Sequence, residues 1–274
     1  MKDTSKPLKF SDFELASQCF RVLETMKITE PSPIQTQTIP IALEGRDIVA
    51  TAQTGTGKTL AFALPSLTRL AQQKAGPNSM LVLAPTRELC AQVESVIHEL
   101  CRPLKMHSVA VYGGVGMHGQ TEKLKRGCQV VVATPGRLLD HLSRRTMKFS
   151  HLEILVFDEA DRMLDMGFLP DIRKIVKQLP RKRQTLMFSA TFAPSLERLT
   201  RDMMHNPQRI EVGFTAKPVE TVRQLVIPVR EEEKPARLLQ LLEEEQIDSA
   251  LIFLRTIRRT ERVGRALKGS KHKT

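Results

Sequence analysis

Short, mostly apolar runs recur along the chain, separated by stretches in which apolar residues return at every third or fourth position. The runs are Ile48–Ala50, Met80–Ala84, Ser108–Val111, Val130–Ala133, Ile154–Phe157 and Thr185–Phe188. A strand buried on both faces has no polar side to show, so it reads as an unbroken apolar segment rather than an alternation. Leu60–Leu64, Glu88–Leu100 and Phe168–Gln178 carry helical spacing between the runs. Strands that alternate with helices predict an α/β fold, a parallel sheet with helices on both faces.

The pattern breaks between Gly213 and Val222, where Phe214-Thr215-Ala216-Lys217-Pro218 has no period. Residues 214–222 are therefore expected to be a linker. Beyond it, Val222–Val229 reads as a strand, Pro235–Glu245 as a helix with Pro at its start, Ala250–Leu254 as a second strand and Thr256–Leu267 as a second helix. The expected organisation is one domain over 1–213 and the start of a second over 223–274. Those final residues are too few to close a parallel domain, and two orphan strands cannot bury both faces, so frayed edges are expected.

Hydrophobic residues make up 41% of the 274, enough for a substantial core. No run reaches the roughly 18 apolar residues of a membrane span, and no apolar signal region follows Met1–Pro7. The expectation is a soluble, cytoplasmic monomer. Cys19, Cys90, Cys101 and Cys128 show no C-x-x-C spacing, which argues against a disulfide framework or a zinc site. A net charge of +12 suits a polyanionic partner. With no Trp and a single Tyr, few rings are available to stack on unpaired bases. The expected grip is on a nucleic-acid backbone, with little sequence preference.

Two segments carry candidate chemistry. Ala52-Gln53-Thr54-Gly55-Thr56-Gly57-Lys58-Thr59 lies between an apolar run and a helical stretch, the setting a phosphate loop requires. Gly55 and Gly57 allow backbone N–H groups to surround an anion, and the helix start adds its positive dipole end. Lys58 offers a charge to the outer phosphates and Thr59 a hydroxyl to Mg²⁺. Asp158-Glu159-Ala160-Asp161 follows the run Ile154–Phe157, at the strand end where parallel sheets bind ligands. Asp158 is the expected metal partner and Glu159 the group that polarises a water. Standing alone, the first segment could be a glycine-rich turn, and the second an acidic cap on a helix near Arg162. Together they point to hydrolysis of a nucleoside triphosphate. A phosphate-loop kinase is the less favoured alternative, because it would need an acceptor pocket in place of a water-activating carboxylate.

These residues resemble the DEAD-box ATP-dependent RNA helicases, with a general look similar to the bacterial RhlE-like group. The likeness covers nearly the whole chain, as the first RecA-like motor domain and the opening of the second. Ala52 is also what this family carries at the start of the loop. Phe10 and Pro31-Ser32-Pro33-Ile34-Gln35 match its adenine-reading segment, which implies ATP as the nucleotide, with Gln35 on the base edge. Pro85-Thr86-Arg87-Glu88-Leu89, Gly113-Gly114 and Thr134-Pro135-Gly136-Arg137 match its RNA-contacting segments, and Ser189-Ala190-Thr191 the segment that couples hydrolysis to strand separation. By residue type, Thr134-Pro135 is expected to cap a helix whose free N–H groups meet a phosphate, helped by Arg137. Taken singly, Gly113-Gly114 is as well a turn, and so is Ser189–Thr191. Hydrogen bonds from Ser189 and Thr191 to Asp161 are expected to link the two sites.

Two departures stand out. Lys27-Ile28 occupies the place of the family's Gly-aromatic pair, which removes a ring from the adenine. The arginine-bearing stretches of the family's second domain, of the form A-T-D-x-x-x-R-G and H-R-x-G-R, do not occur, whereas Ile252-Phe253-Leu254-Arg255-Thr256 is similar to that domain's first signature. An arginine at the γ-phosphate is worth several orders of magnitude in rate. The resemblance therefore implies nucleotide and RNA binding with feeble hydrolysis and no processive unwinding, or a binding module with no turnover. From Arg255 to Thr274, eight Lys or Arg face one acid, Glu261. That tail reads as the solvated face of a helix or, less favoured, as an RNA-binding arm.

Overall fold

In a computed structural model of the chain, which describes residues 8–213, 223, 225–244, 247 and 249–268, every apolar run expected before residue 213 is a strand. β1 spans Ile48–Ala52, β2 Met80–Leu83, β3 Ser108–Val111, β4 Val130–Ala133, β5 Ile154–Phe157 and β6 Gln184–Ser189. All pair in parallel, and with β7 (Gln208–Val212) they form one sheet in the order β3-β4-β2-β5-β6-β1-β7. β7 went unanticipated because an edge strand needs little apolar sequence. It pairs only with β1 and buries only Ile210.

Successive residues of each central strand face opposite ways, and each face has its own helices. Ile154 and Val156 enter one core, Leu155 and Phe157 the other. The first core is covered by α1 (Ser17–Thr25), α2 (Pro33–Leu43), α3 (Lys58–Gln73) and α4 (Arg87–Cys101). The second is covered by α5 (Met117–Lys125), α6 (Pro135–Ser143), α7 (Ala160–Asp165), α8 (Leu169–Val176) and α9 (Pro194–Met203). Each fully buried Leu, Ile or Phe contributes roughly 1.5–3 kcal/mol relative to exposure, so the central strands are the stable part of this sheet. One buried carboxylate fixes its amino edge. Asp47 accepts from the backbone N–H of Thr185 at 2.7 Å and of His205 at 2.7 Å, tying the start of β1 to that of β6 and to the approach to β7.

The four cysteines are free and buried. Burial pushes the Cys19 thiol up to about 11 and those of Cys90, Cys101 and Cys128 up to about 12. Among the described residues, no helix is long and apolar enough to cross a membrane.

The chain divides into two units, Met1–Phe214 and Thr215–Thr274. In the second, α10 (Lys234–Glu244) and α11 (Ile257–Lys268) lie close to the two expected helices. Neither expected strand is formed among the described residues. Those of Val222–Val229 and all of Ala250–Leu254 are irregular. A strand exists only as part of a ladder, and Val226 and Leu251 are 97% and 81% exposed, with no sheet to bury them. The expected linker 214–222, the tail beyond Lys268 and the first seven residues lie outside the described residues.

Candidate functional site

Parallel pairing puts the carboxyl ends of all seven strands on one rim, and the strand order divides that rim. β5, β6 and β1 are adjacent, and from their ends come Asp158–Asp161, Ser189–Thr191 and the loop Gln53–Gly57. β3, β4 and β2 form the other half, ending in Gly113-Gly114, Thr134 and Pro85–Thr86. The segments expected at a nucleotide and those expected at RNA thus occupy separate halves of one edge.

On the first half, β1 runs into the loop and α3 begins at Lys58. Gly55 and Gly57 have φ of 80° and 87°, a conformation that costs glycine nothing. Gly57 is doubly constrained, because a Cβ there would stand 2.4 Å from the Gln35 amide nitrogen. Lys58 is buried and donates to the Ala52 carbonyl at 3.1 Å, so its ammonium closes back over its own loop. Thr56 caps the turn on the Gln53 carbonyl at 2.8 Å, Thr59 is half-buried on the first turn of α3, and Gln53, Thr54 and Gly55 are exposed.

Two residues of the segment expected to read the base are already engaged within the fold. Gln35 does not present a free amide. Its Oε1 accepts from Ser32 N–H at 2.9 Å and its Nε2 donates to the Gly57 carbonyl at 3.0 Å, while Ser32 Oγ donates to the Thr56 carbonyl at 2.7 Å. The start of α2 is thus stapled to the phosphate loop, and reading an adenine edge would require exchanging those bonds. Phe10 is 4% exposed and belongs to the core, because the short 3-10 turn Phe10–Asp12 aims its ring inward. Lys27 ends α1 in a left-handed conformation, φ 57°, with Lys27 N–H on the Glu24 carbonyl and Ile28 N–H on that of Leu23. This is a Schellman cap. Where the resembled family has Gly, Lys27 bears the steric cost of a left-handed residue, roughly 1 kcal/mol, and Ile28 packs on the core.

Asp158 ends β5 and is 3% exposed. Burial raises its carboxyl to about 6, against the pull of the Lys58 ammonium, and the neighbouring Glu159 adds to the rise. Lys58 and Asp158 therefore share one electrostatic neighbourhood, with only β6 between their strands. Glu159 adopts φ 54°, a strained conformation for a non-glycine residue, worth about 1–3 kcal/mol. Arg162 Nη1 holds its carboxylate at 3.1 Å. That partner went unanticipated, although the three-residue spacing on a helix signals it.

Asp161 joins two strand ends. Its Oδ2 accepts from Ala190 N–H (3.1 Å), Thr191 N–H (2.9 Å) and Thr191 Oγ1–H (3.0 Å). Its own N–H donates to Ser189 Oγ at 3.3 Å, and Ser189 Oγ–H donates to the Thr191 carbonyl at 2.7 Å. Burial works to raise the Asp161 carboxyl, but these bonds outweigh it and hold the group below the usual range.

Among the described residues, no group of three or more His, Cys, Asp or Glu forms a metal cage. Magnesium asks for less, one or two carboxylates completed by water and substrate phosphates. A buried Asp158 within the field of Lys58, with Thr59 the next residue of α3 and open space over Gly55, fits that ion.

On the other half, Thr86 caps α4, its Oγ1 accepting from Leu89 N–H at 3.2 Å. Arg87 is exposed and lies against Gly114, φ 83°, where a Cβ would stand 2.1 Å from its Nη1. Arg137 donates to the Val115 carbonyl at 3.0 Å, so two guanidinium groups brace the glycine loop. Thr134 holds the cap position of α6 but its side chain makes no cap bond, contrary to expectation. Its N–H is bonded to the Val111 carbonyl. Pro85, Thr134 and Pro135 are buried and shape the loops, while Gly114 and Gly136 offer exposed backbone. This surface can meet a phosphate backbone with N–H groups and guanidinium charge.

Comparison with known proteins matches residues 32–199 to the family described as DEAD/DEAH box helicase. The chain is 43% identical to the ATP-dependent RNA helicase CshA of Listeria monocytogenes over 94% of its own length and 50% of that protein's. It is 41% identical to the DEAD-box ATP-dependent RNA helicase CshA of Streptococcus pneumoniae over 95% and 50%. To the ATP-dependent RNA helicase DbpA of Bacillus subtilis it is 40% identical over 90% and 51%. The chain spans about half the length of these relatives.

Proposed function

The chain belongs to the DEAD/DEAH box helicase family, and on that premise we propose that it binds MgATP on the β5-β6-β1 half of the rim and an RNA backbone on the β3-β4-β2 half. Its setting would be the cytoplasm, as a monomer. Lys58 and the loop N–H groups hold the phosphates, Thr59 and Asp158 hold the metal, and Glu159, oriented by Arg162, takes a proton from the attacking water. The metal, when bound, offsets charge on the phosphate oxygens. Asp161 reports the state of this half to Ser189 and Thr191, and residues 223–274 are the opening of a second RecA-like domain. The RNA helicase activity for which the relatives are named would require closure of two such domains on RNA.

The observation that carries this reading is the shared neighbourhood of a buried ammonium and a buried carboxylate, Lys58 and Asp158, at strand ends separated by one strand. For these 274 residues taken by themselves the reading is binding with weak turnover, and the second reading is binding with no turnover. Steady-state phosphate release with and without RNA separates them. We expect slow release that Glu159→Gln lowers by about 10²–10⁴-fold while nucleotide binding persists. No nucleotide binding by the unsubstituted chain would end the proposal. A phosphorylated acceptor in place of free phosphate would make it a kinase.

A further inference from the structure

The amino edge of the sheet, opposite the rim that carries every segment above, holds a groove that no role so far explains. A cleft of about 760 Å³ is bounded by Asn78 before β2, by Arg145–Ser150 between α6 and β5, and by Lys177–Pro180 after α8. A second of about 480 Å³ lies between α6 and α8, and Lys177 and Gln178 line both. The two are therefore one groove. Its cations are Arg145, Lys148, Lys174 and Lys177, and exposed Arg181 and Lys182 follow Pro180 directly. Among the described residues, Arg145, Lys148, Lys177, Arg181 and Lys182 have no carboxylate partner. The one acid in the lining, Asp140, is engaged by Arg144 at 2.8 Å.

The floor is fixed. Met147, Phe149 and Leu179 are buried, and Asn78 clamps the loop through Nδ2 to the Lys148 carbonyl at 3.0 Å and its own N–H to the Cys128 carbonyl at 2.7 Å. Three cations without a carboxylate partner, Arg145, Lys148 and Lys177, line this floor and repel one another, and an anion arriving there relieves that repulsion. None of the exposed large hydrophobic residues lies in the groove, whereas a protein interface wants apolar or aromatic anchors. The lining suits phosphates instead.

Helix α6 connects the two edges. Its first residue, Pro135, follows Thr134 on the rim, and its last, Ser143, lies in the groove. Nine residues at 1.5 Å cover about 14 Å, a distance that a few nucleotides of one strand can span. We propose that this groove is a second backbone site for RNA, reached by the same molecule after it leaves the rim along α6. The inference rests on the reading that the rim itself takes RNA.

The test is the salt dependence of RNA affinity, measured by anisotropy with a short single strand that fills only the rim and a long one that reaches past α6. The variant is Arg145→Asn with Lys148→Gln and Lys177→Gln. Asn is chosen because Arg145 has φ 54°, which Asn tolerates. Equal thermal midpoints show that the fold is kept. Each phosphate contact to a single strand contributes about 0.7 to the slope of log affinity against log salt. The variant should therefore lose about 2 from the slope for the long RNA and nothing for the short one. An unchanged long-RNA slope overturns the proposal, as does an equal loss on both RNAs, which would reflect a general field. Loss of polyglutamate binding with unchanged RNA slopes overturns it in favour of an acidic protein partner. If the unsubstituted chain binds neither RNA, the rim reading fails and takes this one with it. If it binds the short RNA normally while the long-RNA slope is unmoved, only the groove fails.

Discussion

Ile154-Leu155-Val156-Phe157 and Leu251-Ile252-Phe253-Leu254 are nearly the same apolar segment, followed in each case by polar residues and a helix. The first is β5, at the centre of seven strands, with Phe157 fully buried. The second forms no strand, and Phe253 is 86% exposed. Composition does not separate them. β5 has β2 and β6 to pair with and helices over both faces, whereas Leu251–Leu254 has two helices of its unit and no ladder. An apolar run is thus a request for a sheet that only distant chain can grant.

The largest consequence is in amide exchange. Opening the central strands requires unfolding the first unit, which costs at least about 5 kcal/mol. Their amides should exchange about four orders of magnitude more slowly than those of 225–230 and 249–254. Comparable protection in the two segments, read by mass spectrometry, would break the comparison, because it would mean that the second run has found a partner. Next in size is the matched pair of substitutions. Phe157→Ala should cost about 3–5 kcal/mol in denaturant unfolding, and Phe253→Ala less than about 0.5 kcal/mol. A large loss from Phe253→Ala would show that its ring is buried in solution.

The same distinction decides what could be read in advance. The phosphate loop and the acidic segment are local, since each depends on residues within a few positions, and both could be picked out, whereas the cap that Thr86 makes on α4 was not read and the one expected of Thr134 is not made. Whether two such segments meet depends on strand order. Nothing in the sequence tells that β1 and β5 are separated only by β6, or that the strand ends carrying these segments fall into two halves of one rim. The partners of Gln35 were hidden for the same reason. Its residue type suits a base edge, and the carbonyl it bonds belongs to Gly57, brought there by the packing of α2 on α3. The burial of Phe10 was hidden because a buried ring and a presented ring look alike in sequence. The left-handed Lys27 was noticed only as a missing glycine.

Charge separates the units as well. Asp158 is buried and its carboxyl is raised to about 6, by burial first. Glu231, in the second unit, is lowered by its hydrogen bond to Lys234 and by Arg259 while remaining fully in solvent. Between the ordinary Asp value of 3.8 and about 6, the folded chain holds a proton at Asp158 that the unfolded chain has lost. Stability of the metal-free protein therefore falls as pH rises through that window. Asp158→Asn should remove this slope and raise stability at neutral pH, while weakening MgATP by about 1.5–3 kcal/mol. In the unsubstituted chain MgATP should bind less well below about pH 6, as the carboxylate is lost. Unfolding curves from pH 4 to 8 and nucleotide titrations check both signs. The Glu231 pairs should leave no such trace and should fade with salt.

The smallest effect sharpens the comparison most, because it removes tertiary structure from both sides. Each unit has a helix begun by a threonine whose hydroxyl accepts from the N–H three residues on, Thr86 from Leu89 at 3.2 Å and Thr256 from Arg259 at 3.4 Å. The device is the same and so is its intrinsic worth, about 1 kcal/mol against Ala. What differs is what each helix is attached to. α4 is packed in the first core, so Thr86→Ala should lower the cooperative unfolding free energy of that unit by about 1 kcal/mol, and Thr86→Ser should restore it. α11 buries only Leu267, so Thr256→Ala should lower the helical circular dichroism and leave the main transition where it was. If Thr256→Ala shifts the main transition as far as Thr86→Ala does, the two units unfold together and the contrast drawn from Phe157 and Phe253 is wrong. If neither moves anything, neither cap contributes to stability, and Thr86 is left only its place on the rim.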